Sequence, residues 1–501
     1  MGTRRRTFLP SREDFNRLAA EYPVVPVWRE VVADVETPVS AFLKVSSPGG
    51  ADRRHAFLLE SVEGGERWGR YSFVGLDPFL VMTSREGRVS WEGAPPEEAE
   101  TAAEAGRSPL EVLRLVLEAY RTPALAGLPP LHTGAVGYLG YDVVRYLERL
   151  PQTTVDEVGV PEMMLMFPRS LLVFDHLRQR IAVVSNVVDG DTYEAAVERA
   201  DALVDALGMP LPYRPIEPAT AEPDLPPSSM TQERYEQAVD RAKEHILAGD
   251  IFQVVLSHRF STPLEAEPFD VYRVLRLVNP SPYMFYLRHP EITVIGSSPE
   301  PLVKVQGGSV VQRPIAGTRP RGRTDEEDAA LAAELVADEK ERAEHVMLVD
   351  LARNDVGRVS AYGSVHVDEL MVVERYSHVM HIVSQVSGTL VEGRTALDAL
   401  YASFPAGTVT GAPKIRAMEI IDDLEPSRRG PYAGVVGYFD FSGNLDTCIA
   451  LRTAYIADGV FHIQAGAGIV ADSDPAKEWW ETVNKARALL SAARIAEKID
   501  R

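Results

Sequence analysis

The stretch TAYIADGVFHIQAGAGIVADSDPAKEWWETVNKA, residues 453–486, combines the two kinds of local structure that decide the fold. Its first half, residues 453–469, is rich in β-branched, aromatic and small apolar residues and predicts a strand. Its second half places Glu478 and Glu481 three residues apart, which puts both carboxylates on one face of a helix, and Lys485 extends that face by one turn. A strand that leads into a helix predicts a mixed architecture.

Similar patterns recur along the whole chain. Residues 231–248 carry apolar side chains at helical spacing between a Thr231 cap and a Gly249 stop, and they predict an amphipathic helix. Short apolar runs bounded by Gly, Pro and Asp predict further strands at 56–60, 71–75, 169–175, 251–260, 293–298 and 433–441. The chain is therefore predicted to be α+β, with much antiparallel sheet.

A proline-rich stretch, PLPYRPIEPATAEPDLPPSS at 210–229, lacks any apolar period and predicts a linker. We expect an amino-terminal domain over residues 1–215, a linker over 216–230 and a second domain over 231–501. With 501 residues, of which 45% are hydrophobic, the chain is long enough for two or three domains.

Charge and cysteine content exclude several classes of protein. The net charge of -21 repels a phosphate backbone, so nucleic-acid binding is not expected. The single cysteine, Cys448, cannot form an internal disulfide, which favours a reducing compartment and hence the cytoplasm. We find neither a signal peptide nor an apolar stretch of about 18 residues that could span a membrane.

Two pairs of glutamates are the strongest chemical signal. Glu341 and Glu344 lie three residues apart, as do Glu478 and Glu481. Two carboxylates per helix face could bind Mg²⁺ together with water and an anionic substrate. Glutamates at this spacing beside basic residues more commonly form a solvated helix face, so the spacing alone leaves both interpretations open.

Glycine-containing segments offer weaker signals. QAGAGIVADSD at 464–474 could let backbone N–H groups approach an anion, and PIAGTRPRG at 314–322 could hold a carboxylate, but either could be a simple turn. AGTVTGAPK at 406–414 has the wrong glycine spacing for a nucleotide loop. We find no G-x-S-x-G elbow and no H-E-x-x-H motif, so hydrolase and zinc-protease functions have no support.

Seven sequence blocks taken in order closely resemble the chorismate-utilising enzymes. The blocks are PIAGTRPRG (314–322), DEKERAEHVMLVDLARND (338–355), YSHVMHIVSQVSG (376–388), FPAGTVTGAPK (404–414), GPYAGVVGY (430–438), IALRTAY (449–455) and QAGAGIVADSDPAKEWWETVNKA (464–486). The earlier part of the chain resembles the amino-terminal part of the anthranilate synthase component I branch. The resemblance implies large, mostly antiparallel sheets packed with helices in two intimately associated domains.

The resemblance also implies a ligand set and a substrate. It places Mg²⁺ at Glu344 and Glu481, with Glu341 and Glu478 nearby. Chorismate carries two carboxylates, so an acidic site can bind it only through a cation and local bases. The residues that the resemblance places around chorismate are Gly317, Thr318, Tyr432, Arg452, Gly466, Gly468 and Lys485.

Catalytic roles are implied in the same way. Glu300 matches the general acid that protonates the departing C4 hydroxyl, and His381 matches the histidine of the pyruvate-elimination step. Lys485 belongs to the same catalytic set. Gln253 stands where isochorismate and salicylate synthases have a water-activating lysine, and Ala316 stands where aminodeoxychorismate synthases have a lysine nucleophile.

These differences leave direct amination at C2, which makes anthranilate, a lyase reaction that opens tryptophan synthesis. A second possibility is an aminodeoxychorismate synthase component I that has lost its lysine. A third, of a different class, is a tryptophan-sensing subunit without catalysis, although a costly cluster of like charges argues against it.

The resemblance further implies partners and regulation. A glutamine amidotransferase subunit would supply ammonia, which predicts a hetero-oligomer, and L-tryptophan would inhibit. The segments LLES (58–61) and NPSPYMFY (279–286) resemble the tryptophan-binding segments of the family. Without the resemblance, both segments would be interpreted as buried strands. The best matches to the tryptophan site are Glu60, Ser61, Pro282, Tyr283 and Met284.

Overall fold

The computed structural model of the chain describes residues 7–46, 53–61, 69–188, 190–211, 215–216, 224–376 and 379–499. Within these residues the predicted α+β class is confirmed: antiparallel sheets lie between helices. The strands are β1 (Val25–Val32), β2 (Ala56–Glu60), β3 (Tyr71–Arg85), β4 (Arg88–Gly93), β5 (Ala135–Leu139), β6 (Met163–Asp175), β7 (Arg180–Val187), β8 (Gln253–Pro263), β9 (Tyr283–His289), β10 (Ile292–Ser298), β11 (Pro301–Gln306), β12 (Ser309–Gln312), β13 (Ile315–Pro320), β14 (His366–Arg375), β15 (Val379–Thr389), β16 (Gly411–Ala412), β17 (Val435–Phe439), β18 (Leu445–Ile449), β19 (Thr453–Ala457) and β20 (Val460–Ile469).

The helices vary from one of two turns to one of six turns. They are α1 (Arg12–Ala19), α2 (Pro38–Ser46), α3 (Glu97–Glu104), α4 (Pro109–Ala119), α5 (Tyr193–Leu207), α6 (Gln232–Leu247), α7 (Pro268–Val278), α8 (Asp325–Ala337), α9 (Glu339–Gly357), α10 (Ala396–Ser403), α11 (Lys414–Leu424) and α12 (Pro475–Ala496). None of the described helices is long and apolar enough to cross a membrane.

Two long strands, β3 and β6, belong to two sheets at once. Their register shifts between Pro78 and Leu80, and the partners differ on the two sides of the shift. On one side the order is β8–β20–β19–β10–β9–β2–β3–β6–β7–β1. On the other side it is β4–β3–β6–β5–β17–β18–β11–β12–β15–β14. The bend in β3 and β6 therefore joins the sheets.

The core has three layers of buried apolar side chains. One cluster contains residues of both sheets, such as Phe57 on β2 and Tyr438 on β17, and fills the space between them. A second cluster packs the first sheet against α2, α5, α6, α7 and α12, and a third packs the second sheet against α3, α4, α9 and α10. Burial of apolar surface on both faces explains why several strands read as continuous apolar runs.

Most of the predicted elements are present, with one instructive difference. The Thr231 side chain caps α6, and Gly249 follows it with a positive φ of 81°, as predicted. The predicted single strand over 453–469 is wrong, because Asp458 and Gly459 both take positive φ and turn the chain into the β19–β20 hairpin.

The predicted linker lies partly outside the described residues, which omit 217–223. In the described residues between Leu207 and Gln232 there is neither helix nor strand. We propose that the domain boundary lies there. Strands from both sides of it pair in both sheets, β2 with β9 and β5 with β17, so the two parts share one framework.

Candidate active site

Adjacent strands β8 and β20 bring Gln253 beside the two predicted glycines. Gly466 pairs with Ser257 and Gly468 with Val255. A Cβ atom on Gly468 would lie 2.7 Å from Gln253 Nε2, so only glycine lets the amide lie over the strand. The Gln253 side chain therefore borders the surface formed by these glycines.

Tyr432 lies beside the same strand, and Arg452 lies near Glu300 and His381. A Cβ atom on Gly466 would lie 2.7 Å from Tyr432 Oη. Burial lowers the pKa of Arg452, and the charge of Glu300 opposes that shift. Among the described residues, the Arg452 guanidinium has no hydrogen-bond or ion-pair partner. A largely buried guanidinium without a protein partner is suited to an anionic ligand.

Glu300 lies between β10 and β11 and is held by a threonine. Thr408 Oγ1 donates to Glu300 Oε1 over 2.8 Å. Burial raises the pKa of Glu300 to about 7, against the Thr408 hydrogen bond and the charges of Lys485 and Arg452. A carboxyl group with this pKa can carry and release a proton near neutral pH.

His381 on β15 is oriented by the neighbouring strand β13. Its Nδ1 lies 2.9 Å from the Gly317 carbonyl oxygen and 3.1 Å from Thr318 Oγ1. Because a carbonyl oxygen only accepts, Nδ1 carries the proton, and Nε2 of the neutral ring has a free lone pair. Burial lowers the pKa of His381, which favours this neutral ring.

The four predicted glutamates come together from α9 and α12. Burial raises the pKa of Glu344, and the nearby charges of Glu341 and Glu481 raise it further. Burial also raises the pKa of Glu478, again with a contribution from Glu481. The two helices thus bring like-charged oxygen ligands together, which is the donor set that Mg²⁺ takes. The residues fit a magnesium site.

Lys485 links this acidic group to the glycine strand. Its Nζ lies 2.8 Å from Glu481 Oε1 and donates to the Gly466 carbonyl oxygen over 2.9 Å. The ammonium group is therefore held between α12 and β20. It lies beside the Glu481 carboxylate and beside Gly466, which the Tyr432 hydroxyl also approaches.

Comparison with known proteins matches this arrangement to one family. A family model described as chorismate binding enzyme matches residues 62–491. Anthranilate synthase component 1 from Mycolicibacterium smegmatis is 49% identical, with 97% of this chain and 94% of that protein covered. The protein of the same name from Pseudomonas putida is 49% identical over 97% of this chain and 99% of its own length.

The chain belongs to the anthranilate synthase component 1 family of chorismate-binding enzymes.

Solved structures agree with the fold. The crystal structure of anthranilate synthase component I from Streptococcus pneumoniae matches with a TM-score of 0.77 and 36% identity, covering 92% of this chain and 99% of that one. The menaquinone-specific isochorismate synthase from Escherichia coli, 20% identical with a TM-score of 0.68 and covering 96% of this chain and 98% of that one, shows the fold alone.

One residue of the site was missed by sequence reasoning. Thr408, in the block that carries the chain from α10 to α11, contacts the predicted general acid. The sequence signal was the resemblance of FPAGTVTGAPK to the family, but a threonine in a loop gives no hint of a partner 108 residues away.

The segments predicted to bind tryptophan lie side by side in this family member. In the β2–β9 ladder, Glu60 pairs directly with Met284. The ammonium of an amino acid needs an acceptor, which Glu60 or main-chain carbonyls could supply, but Glu60 Oε2 already accepts from Tyr272 Oη over 2.6 Å and from Arg276 Nε over 3.1 Å. The buried Ser61 Oγ has no hydrogen-bond partner among the described residues.

The other two residues of this group lie at the start of β9. Tyr283 donates to Asp446 Oδ1 over 2.9 Å, so its hydroxyl is already engaged, and Pro282 precedes it. Among the side chains of this group that the structure describes, the Ser61 hydroxyl is therefore the one without a partner.

A group of potential metal ligands outside this site is better explained by hydrogen bonds. His55 Nε2 lies 3.0 Å from Glu92 Oε2, and His289 Nε2 lies 3.7 Å from Glu92 Oε1. His289 Nδ1 accepts from the Glu291 N–H, so Nε2 of the neutral ring carries the proton that a metal would have to displace.

Proposed function

We propose that the chain is a lyase that makes anthranilate and pyruvate from chorismate. Chorismate is aminated at C2 with loss of the C4 hydroxyl, and pyruvate is then eliminated. The observation that carries the proposal is that Glu300, whose pKa burial raises to about 7, lies near the charges of Arg452 and Lys485, and that Lys485 is paired in turn with Glu481. The reaction requires an acid for the departing hydroxyl. The substrate requires one site for a carboxylate and another for the cation that binds its second carboxylate.

The charged side chains of the site predict how the two carboxylates of chorismate bind. The Arg452 fork and the Tyr432 hydroxyl hold the enolpyruvyl carboxylate, and Gly466 and Gly468 let the ligand approach the backbone of β20. Gly317 and Thr318 line the ring side. Glu344 and Glu481, with Glu341 and Glu478 nearby, would hold Mg²⁺, which when bound supplies positive charge for the ring carboxylate.

In the first half-reaction, ammonia attacks C2, both ring double bonds shift and the C4–O bond breaks. The Glu300 carboxyl gives its proton to the departing oxygen, so that water leaves, and Glu300 becomes a carboxylate. Gln253 offers no base to activate water, and Ala316 offers no amine to form a covalent intermediate, so ammonia is the nucleophile.

In the second half-reaction, the proton on C2 is lost, the C3–O bond breaks and the ring becomes aromatic, while the methylene carbon of the departing enolpyruvate takes up a proton to give pyruvate. The free Nε2 of His381 is suited to accept a proton there, because the Gly317 carbonyl fixes the opposite tautomer. Lys485 supplies positive charge to the same region.

The reaction needs ammonia, and this need predicts a partner subunit that releases it from glutamine. Cys448 is buried in β18, and burial raises its pKa, so it is unsuited to act as a glutaminase nucleophile. A separate glutamine amidotransferase subunit therefore completes the enzyme in a hetero-oligomer, and L-tryptophan binds as inhibitor at the end of the β2–β9 pair, near Ser61 and Pro282.

The test is an assay of the isolated chain. Chorismate, MgCl₂ and ammonium chloride should produce anthranilate fluorescence, and EDTA should abolish it. Glutamine in place of ammonium should give neither anthranilate nor glutamate. Turnover with glutamine alone, or no anthranilate under any condition, would contradict the proposal.

A further inference from the structure

In the proposed function Glu300 must regain a proton after each turnover, and a cavity lies beside it. The cavity, of about 50 Å³, is lined by Glu300, Thr408, Leu351 and Asp355 among others. No other described residue of the predicted substrate site borders it. Its volume exceeds the roughly 10–15 Å³ that one water requires, so a short chain of waters fits.

A larger cavity adjoins the first and leads to the protein surface. It has a volume of about 510 Å³ and shares Leu351 and Asp355 with the smaller one. Its other walls include the exposed residues Asn354 and Arg358. The two cavities thus meet at one turn of α9, where Leu351 and Asp355 lie four residues apart.

Contacts connect this turn to the general acid. A Cβ atom on Gly407 would lie 2.2 Å from Leu351 Cδ2, so the leucine packs directly on the backbone before Thr408. Thr408 in turn holds Glu300 Oε1. The carboxyl groups of Glu300 and Asp355 therefore border the smaller cavity together, and that of Asp355 also borders the larger cavity.

The surroundings of Asp355 suit a group that exchanges protons. Burial raises the pKa of Asp355, while the charges of Lys414 and Arg358 oppose the shift. Lys414 Nζ lies 3.4 Å from Asp355 Oδ2, longer than a strong ion pair, and Glu148 acts on Lys414 from the amino-terminal part of the chain. Arg313 faces the smaller cavity.

We propose that these two cavities hold a water-bridged path along which Asp355 returns a proton to Glu300 after each amination. The inference rests on the proposed function, in which Glu300 is the general acid. It assigns Asp355 as a positioning and relay residue that does not touch chorismate.

The proton count balances. Glu300 loses one proton to the C4 oxygen, which leaves as water. A water in the small cavity then gives a proton to Glu300 and takes one from the Asp355 carboxyl group. Asp355 regains its proton from a hydronium ion or a buffer acid in the larger cavity. The attacking ammonia releases one proton to solvent, so the whole cycle neither gains nor loses a proton.

The test compares Asp355→Asn with Asp350→Asn in the ammonia-dependent assay. Asp350 lies on the same helix and is exposed, paired with Arg353, so its variant removes the same charge outside the cavities. Asp355→Asn should lower kcat by about tenfold or more, within the range of proton-transfer catalysis, with KM for chorismate changed less than about twofold. Imidazole buffer should restore part of kcat in proportion to its acid form, and Asp355→Glu should restore most of it.

A purely structural role would change the melting temperature and KM together and would not respond to buffer. Should Asp355→Asn fail to fold, Leu351→Trp, which fills the junction of the cavities without changing charge, should show the same loss of kcat. Parent-like kcat and pH dependence in Asp355→Asn or in Leu351→Trp, or a loss without buffer rescue, would overturn the relay. A parent chain that makes no anthranilate would instead overturn the proposed function.

Discussion

The charge of Arg452 opposes the protonated state that Glu300 needs in order to act as an acid. The Glu300 carboxyl must stay protonated to act as an acid, yet the Arg452 charge nearby favours its ionised form. When a substrate carboxylate pairs with Arg452, that charge is largely neutralised. We therefore expect the pKa of Glu300 to rise above about 7 when chorismate binds, so that the acid is protonated when it is needed.

This reasoning predicts a particular pH dependence. Because the protonated carboxyl is the active form, kcat/KM should fall as pH rises through about 7, while kcat should fall only at a higher pH. Glu300→Gln should lower kcat about 10²–10⁴-fold and remove this fall from the residual rate.

The matched control is Glu291→Gln, since Glu291 is exposed and paired with Arg85. It should retain the parent pH profile. A Glu300→Gln chain with parent activity, or with the same decline above neutral pH, would exclude Glu300 as the acid.

The single residues proposed for the site were chosen by resemblance and not by spacing. Glu300 has no periodic neighbour that signals an acid, and its altered pKa depends on burial by β10, β11 and the Thr408 loop. Residue spacing could not predict the role of Thr408, because its hydrogen-bond partner Glu300 is distant in sequence. The raised pKa of Glu300 and the hydrogen bond from Thr408 both arise from tertiary contacts.

At the scale of elements, α12 places its glutamates between a buried face and solvent: Glu478 is half-buried, whereas Glu481 is exposed and paired with Lys485. Its buried residues include Trp479, Thr482 and Val483, of which Trp479 stacks on His258 of β8 and Thr482 forms a hydrogen bond with the same ring. The glutamates therefore lie along the edge of a packed face, where the α9 carboxylates approach them. Spacing alone favoured a solvated face, and we propose instead that the approach of α9 makes these glutamates a metal site.

Comparison of Glu481→Gln on α12 with Glu236→Gln on α6 tests this interpretation. Each change removes one negative charge, but Glu236 accepts only from Gln232 on its own helix. Glu481→Gln should abolish most turnover and weaken the dependence of rate on Mg²⁺, because a ligand oxygen is replaced by an amide. Glu236→Gln should retain parent rates. Equal Mg²⁺ titration curves for the two variants would restore the solvated-face interpretation.

Elements with a clear period were predicted well, and turns between strands less well. The α6 helix matched its predicted span because its cap, stop and apolar spacing are all local. The 453–469 segment looked like one strand because Asp458 and Gly459 interrupt an apolar run without a proline. Only the positive φ values of both residues show the turn.

At the scale of the whole molecule, the shared strands β3 and β6 place distant segments together. β2 is paired with β3 on one edge and with β9 on the other, so Glu60 and Met284 become neighbours although 224 residues separate them. No local pattern could predict this pairing, which depends on how the two sheets are joined. A ligand bound here would contact both parts of the chain.

We predict that L-tryptophan inhibits the enzyme from this position. Since a ligand that contacts both parts biases their relative arrangement, tryptophan should weaken chorismate binding, and chorismate should weaken tryptophan binding by the same factor. Ser61→Arg places a bulky charge where a buried hydroxyl lacks a partner, and it should abolish inhibition while leaving uninhibited activity near that of the parent.

Ser90→Arg on β4 is a suitable control, because Ser90 is an exposed residue of a strand outside the β2–β9 pairing. This variant should remain sensitive to tryptophan. Inhibition of Ser61→Arg at parent tryptophan concentrations would show that the regulatory site lies elsewhere.

The central claim is amination of chorismate at C2, and product analysis with labelled ammonium tests it most directly. The pure chain should be incubated with chorismate, MgCl₂ and ¹⁵N-ammonium chloride, and the products measured by mass spectrometry. We predict anthranilate that carries one ¹⁵N atom, together with one pyruvate for each anthranilate. Isochorismate, or an aminated product formed without pyruvate, would contradict the account.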